Sequence, residues 1–183
     1  MDTRPTDSNK PVPLVMTLLG PDQTGLVERV ARAVAGRGGN WLESRMCRLG
    51  GEFAGILRIE VPAAEKAALL DALQKISGLQ VVVRSDEPPT AAARPRQAKL
   101  EVMGHDRPGI VRELSAALAR AGVNVEEFSS EVTSAPMSGE TLFKAVASLQ
   151  LPERCDLAGL KDELEKIATD LLVDLSLAEV FDP

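Results

Sequence analysis

The sequence contains one stretch twice, and that duplication constrains the fold more than any other feature. Near the N-terminus the chain reads Gly20-Pro21-Asp22-Gln23-Thr24-Gly25-Leu26-Val27, and later Gly104-His105-Asp106-Arg107-Pro108-Gly109-Ile110-Val111. In both, an apolar strand-like run ends in Gly-x-Asp-x-x-Gly and passes directly into an amphipathic pattern. The copies lie 84 positions apart, and the same offset relates Asn40 to Asn124 and Glu43 to Glu127. A repeat of about 80 residues divides the 183-residue chain into two modules. A module of that size buries only about 60% of its unfolded surface. Further packing, between modules or between chains, is therefore expected to contribute to stability.

The pattern of each module reads β-α-β-β-α-β. In the first, Leu14 to Leu19 form an apolar strand run, and Leu26, Val30, Ala33 and Val34 recur at helical spacing. Asn40 to Arg48 and Phe53 to Val61 flank Gly50-Gly51, a hairpin signal. A helix is predicted over about 63–77, closed by Gly78, and a last strand over 79–84. In the second module Leu157, Leu160, Leu164, Ile167 and Leu171 mark the final helix. The expected organisation is a flexible tail over 1–12, module one over 13–84, a proline-containing linker over 85–97 and module two over 98–183. Two such units imply an α+β protein of two ferredoxin-like βαββαβ modules, antiparallel four-stranded sheets with two helices on one face. The 134–139 loop of module two is longer than the Gly-Gly turn, which reads equally as a contact surface or as plain length variation.

Composition narrows the partners. The net charge is −6 and the pI about 5.0, and the nearest basic cluster is Arg94, Arg96 and Lys99. Phosphate binding generally needs a basic face, so direct nucleic-acid contact is not expected. Cys47, Cys155 and the single histidine, His105, have no metal-like spacing, so no metal and no cofactor is expected. No apolar run reaches the ~20 residues of a membrane span and no signal peptide is read, so a cytoplasmic protein with reduced thiols is expected.

The duplicated turn admits two chemical readings. It is a strand-to-helix turn whose Asp22 or Asp106 caps free helix donors, or it is a site for a carboxylate at a helix N-terminus, with the aspartate meeting an ammonium group. Pro108 suits a first helical turn. Asn40 and Asn124 read either as turn residues or as amides beside that first helical turn. His105 beside Asp106 has no nucleophile at a useful spacing, so catalysis is not expected. Trp41 reads as a core or interface anchor.

The two Gly-x-Asp-x-x-Gly loops, each followed by a helix and then Gly-x-Asn (Gly38-Gly39-Asn40 or Gly122-Val123-Asn124), resemble ACT domains. Two such modules, with the Ala135-Pro136-Met137-Ser138-Gly139 stretch before Leu142-Phe143, are similar to the glycine cleavage system transcriptional repressor family. The resemblance implies a non-catalytic, amino-acid-responsive regulator that contacts a transcription activator rather than DNA. An ACT-type regulatory subunit of a separate metabolic enzyme is the alternative. A small amino acid of the glycine or serine class is the implied effector, and a homodimer the expected assembly, with sheet pairing favoured because exposed edges are usually covered. Carried over by position, the implied ligand-binding residues are Asp22, Gln23, Thr24, Gly25, Leu26 and Asn40, then His105, Asp106, Arg107, Pro108, Gly109, Ile110 and Asn124. The two loops differ in sequence, so two related but unequal sites are expected.

Overall fold

A computed structural model describes residues 10–86, 96–134 and 139–180. Most of the expected tail, most of the linker and residues 135–138 of the long hairpin loop lie outside the described residues. The chain divides into two compact units, Met1–Thr90 and Ala91–Pro183.

In the first unit β1 (Pro11–Pro21) leads into α1 (Leu26–Ala35), then β2 (Asn40–Leu49) and β3 (Glu52–Pro62). A single 3₁₀ turn (Ala63–Glu65) precedes α2 (Lys66–Gln74), and β4 (Gln80–Ser85) closes the unit. The sheet order is β2-β3-β1-β4, with all pairings antiparallel. The second unit repeats the order with β5 (Arg96–His105), α3 (Ile110–Arg120), β6 (Asn124–Ser134), β7 (Thr141–Leu151), α4 (Leu157–Leu171) and β8 (Val173–Val180). Its sheet order is β6-β7-β5-β8. The expected pair of ferredoxin-like modules is therefore the fold.

Each core lies between one sheet face and its two helices. In module one Leu14, Met16 and Leu18 of β1 and Leu57, Ile59 and Val61 of β3 meet Val30 and Val34 of α1 and Leu69 and Leu73 of α2. Strand alternation sends the intervening residues to the other sheet face. Ile56 and Val82 are exposed there. Module two uses Leu100, Val102, Leu149 and Leu151 against Leu114, Leu118, Leu160 and Leu164.

Several boundaries depart from the sequence reading. Strand β1 begins at Pro11 rather than Pro13. Pro13 C=O accepts from Asp86 N–H, so the missing Pro13 donor points to the side where β4 has already ended. Proline costs no ladder bond there. Strand β4 extends to Ser85, which pairs with Leu14, and β5 begins at Arg96. The helix predicted over 63–77 is a 3₁₀ turn followed by nine residues of α-helix, leaving Leu70 and Ile76 half-buried. The Gly50-Gly51 turn has φ of 60° and 87°, positive at both central positions as a tight hairpin turn of matching twist requires.

Candidate functional site

The duplicated motif is built by two different demands on glycine. At Gly20 an added Cβ would collide with the Gly78 carbonyl oxygen. At Gly104 it would lie 2.6 Å from Val173 Cα and 2.8 Å from Leu172 O. The first glycine therefore exists because the chain between the second helix and the last strand crosses β1 or β5 at backbone contact. Gly25 and Gly109 are the helix N-caps, with φ of 82° and 101° and open space where a Cβ would stand. Left-handed backbone, not crowding, requires glycine there.

The intervening aspartates do not cap the helices. Neither α1 nor α3 has a side-chain cap bond. Asp22 N–H donates to Gly51 C=O at 2.9 Å, and Asp106 N–H donates to Thr141 C=O at 3.0 Å. Each loop is thus pinned to the hairpin end beside it, in the same way in both modules. Leu26 N–H turns back to Gln23 C=O at 3.2 Å.

The side chains differ. In module one Arg48 Nε lies 2.6 Å from Asp22 Oδ2, both groups remaining open to solvent. Arg48 pairs with Phe53, and Phe53 with Gly20, so the register delivers the guanidinium to the loop. Gln23 Oε1 accepts from Arg29 at 3.1 Å. In module two the corresponding row is Gly104, Phe143 and Val132, so a valine stands where module one has Arg48. Arg107 instead reaches the Asp170 carbonyl in the last turn of α4 at 3.5 Å, a favourable place for a cation. His105 ends strand β5, with Nε2 4.0 Å from a Glu140 carboxylate oxygen.

Four expected site residues sit differently from their sequence reading. Leu26 and Ile110 are 4% and 2% exposed and anchor their helices in the cores, facing away from solvent. Asn40 and Asn124 are not beside the first helical turn. Asn40 pairs with Glu60, which pairs with Pro13, whereas the loop follows Gly20. The seven residue-to-residue steps from Pro13 to Gly20 span about 23 Å of strand. Asn124 pairs with Gln150, which pairs with Gln97, seven residues before Gly104. The helix runs back along the sheet, so the residue that opens β2 or β6 arrives at the opposite end. Thr24 in module one and Pro108 in module two are each exposed in the loop at the end of their own module's first strand.

Sequence reasoning missed Arg48, Gly51 and Thr141. The available signal was the repeat itself: Arg48 becomes Val132 at the common offset, within otherwise similar strands. Placing Arg48 beside Asp22 also needs the strand order, which puts β3 between β2 and β1.

The site offers hydrogen-bond donors, one carboxylate and one guanidinium. Among the described residues no group of three or more His, Cys, Asp or Glu side chains is placed to hold a metal ion. No helix among them is long and apolar enough to cross a membrane.

Comparison with known proteins agrees with this architecture. ACT-domain family models match residues 12–84 and 98–147. The chain is 23% identical over 162 residues to the glycine cleavage system transcriptional repressor of Escherichia coli, covering 86% of this chain and 85% of that protein. A protein of unknown function from Galdieria sulphuraria superposes with a TM-score of 0.86 at 29% identity, over 94% of this chain and all of the other. A crystal structure described as a glycine cleavage system transcriptional repressor gives 0.64 at 22% identity, over 94% and 99% of the two chains. With one strand–loop–helix motif per module, both modules matched and the likeness running through nearly the whole chain, the protein belongs to the ACT-domain family as a tandem ACT protein related to the glycine cleavage system repressor.

Proposed function

We propose that this protein is a non-catalytic regulator that responds to a small amino acid of the glycine or serine class. The observation that carries the reading is the pair of ACT modules, together with the likeness to a repressor over 86% of the chain. The effector site is assigned to module one, at the loop Asp22 to Gly25. A zwitterion presents an ammonium and a carboxylate a few ångströms apart. Asp22 and Arg48 present the opposite charges at a comparable separation, beside the positive end of α1. In module two Arg107 is turned toward α4 and Val132 replaces Arg48, so that loop lacks the same pair.

The regulator acts through a protein partner, a transcription activator by analogy with the related repressor, as a homodimer in the cytoplasm. The acidic chain supports protein contact over direct nucleic-acid contact. Calorimetry and thermal shift with glycine and serine test the sensing half. A ligand at 100 times its dissociation constant raises stability by about 2.7 kcal/mol. No response to any amino acid at millimolar concentration overturns it. Affinity capture from the native cell tests the partner half: a transcription activator supports the reading, and a metabolic enzyme replaces it with the regulatory-subunit alternative.

A further inference from the structure

The two modules differ in how they fill the space between the first helix and the strand that follows it. In module one Trp41 and Met46 of β2 pack on the core, and Met46 lies directly over Gly55. Leu57 of β3 is buried opposite Ser44. In module two the places of Trp41, Met46 and Leu57 are taken by Val125, Ser130 and Ala147. The indole, the thioether and the leucine side chain are all cut back. The one large replacement, Phe128 in the place of Ser44, is 45% exposed rather than buried. Between α3 and β6 this leaves a cavity of about 220 Å³. Leu114, Leu118 and Ala147 are buried at its floor, and Val111, Val125 and Phe128 are exposed at its mouth. Close-packed interiors hold few voids larger than a water molecule. An apolar cavity of roughly 150 Å³ already accepts benzene.

The lining decides the class of occupant. No charged side chain lines the cavity, so an ionised ligand would give up its hydration without a partner. The one polar side chain there is Ser115, whose hydroxyl already donates to the Arg112 carbonyl at 3.1 Å. No side-chain donor is left for a polar ligand. We propose that module two holds a second ligand site, in its core rather than at its loop, for a small uncharged aromatic molecule. The ring takes the place that the Trp41 indole holds in module one, beside the Phe128 ring at the mouth. Apolar walls and a single opening suit a small-molecule site. Val111 and Leu114 lie near the start of α3, so an occupied cavity also holds that helix against the sheet.

Toluene is the probe, used with the full chain and no added amino acid, so the result does not depend on the effector site of module one. It is expected to bind in titration calorimetry. In methyl NMR it is expected to move the signals of Val111, Leu114, Leu118 and Val125 and to leave those of Leu14, Leu57 and Leu69 in place. Ala147→Leu restores the leucine of module one, and Val125→Trp restores the indole. Each is expected to weaken toluene about tenfold or more. Circular dichroism shows which variants are folded, and the methyl map of the wild type locates the site without them. No binding up to the solubility of toluene, or methyl shifts spread over both modules, overturns the site. Unchanged affinity in either folded variant overturns it as well. Affinity that falls as protein concentration rises also overturns it, because a second copy of the chain then covers the mouth.

Discussion

The Nε of Arg48 stands 2.6 Å from Oδ2 of Asp22, joining the end of β2 to the β1–α1 loop across β3, and module two places Val132 at the matching position. This pair makes the two copies of the motif chemically unequal while their backbones remain alike. Arg48→Ala or Asp22→Asn is expected to weaken amino-acid binding about tenfold, as loss of a charge-assisted contact does. Asp106→Asn is expected to leave it unchanged. Titration calorimetry on the three variants checks the assignment, and equal losses in modules one and two would remove it.

The position of the two asparagines leads to a second expectation. Asn40 and Asn124 lie about 23 Å of strand from the loop of their own module. Asn40→Ala and Asn124→Ala are expected to retain wild-type affinity for the amino acid. A tenfold loss in either would mean that an asparagine reaches the ligand from a different module or another copy.

Gly20 and Gly104 are expected to be the most sensitive glycines to alanine. A methyl group at either would overlap backbone rather than a movable side chain. Each substitution is expected to cost about 2–3 kcal/mol, the upper part of the overpacking range. Urea denaturation measures it. Alanine at Gly25 meets no neighbour and is expected to cost less, about 1–2 kcal/mol, the strain of left-handed backbone alone.

Leu172 caps α4 with φ of 57° and is 67% exposed. It is the one non-glycine residue at positive φ among the described residues. Leu172→Gly is expected to raise stability by about 1 kcal/mol, because glycine carries no Cβ penalty there. A higher urea midpoint with an unchanged slope is the predicted observation.

Acid stability offers a further check. Arg96 hydrogen-bonds Glu179 at 2.7 Å and 3.0 Å and holds its carboxyl below the usual glutamate range. A carboxyl lowered by folding adds stability above its unfolded value of about 4.3, and that contribution disappears as pH falls through the folded value. Glu179→Gln is expected to flatten the stability profile below about pH 4.3 and to lower stability at neutral pH. Urea midpoints across that range measure the difference.

Much of this protein was legible before its structure. The constant offset between the two motifs, strand alternation at Phe53 to Val61 and helical spacing at Leu157 to Leu171 determined two βαββαβ units, because periodicity records which side of an element meets the core. Glycine at 25 and 109 marked a backbone turn for the same local reason. Local order did not reveal what lies next to what across the sheet. Asn40 follows the motif by a single helix, yet the helix carries it to the far end. Arg48 is farther along the chain, yet the β2-β3-β1 order returns it to Asp22. Sequence spacing determined the modules, whereas strand pairing, a nonlocal property, decided which charges share the loop.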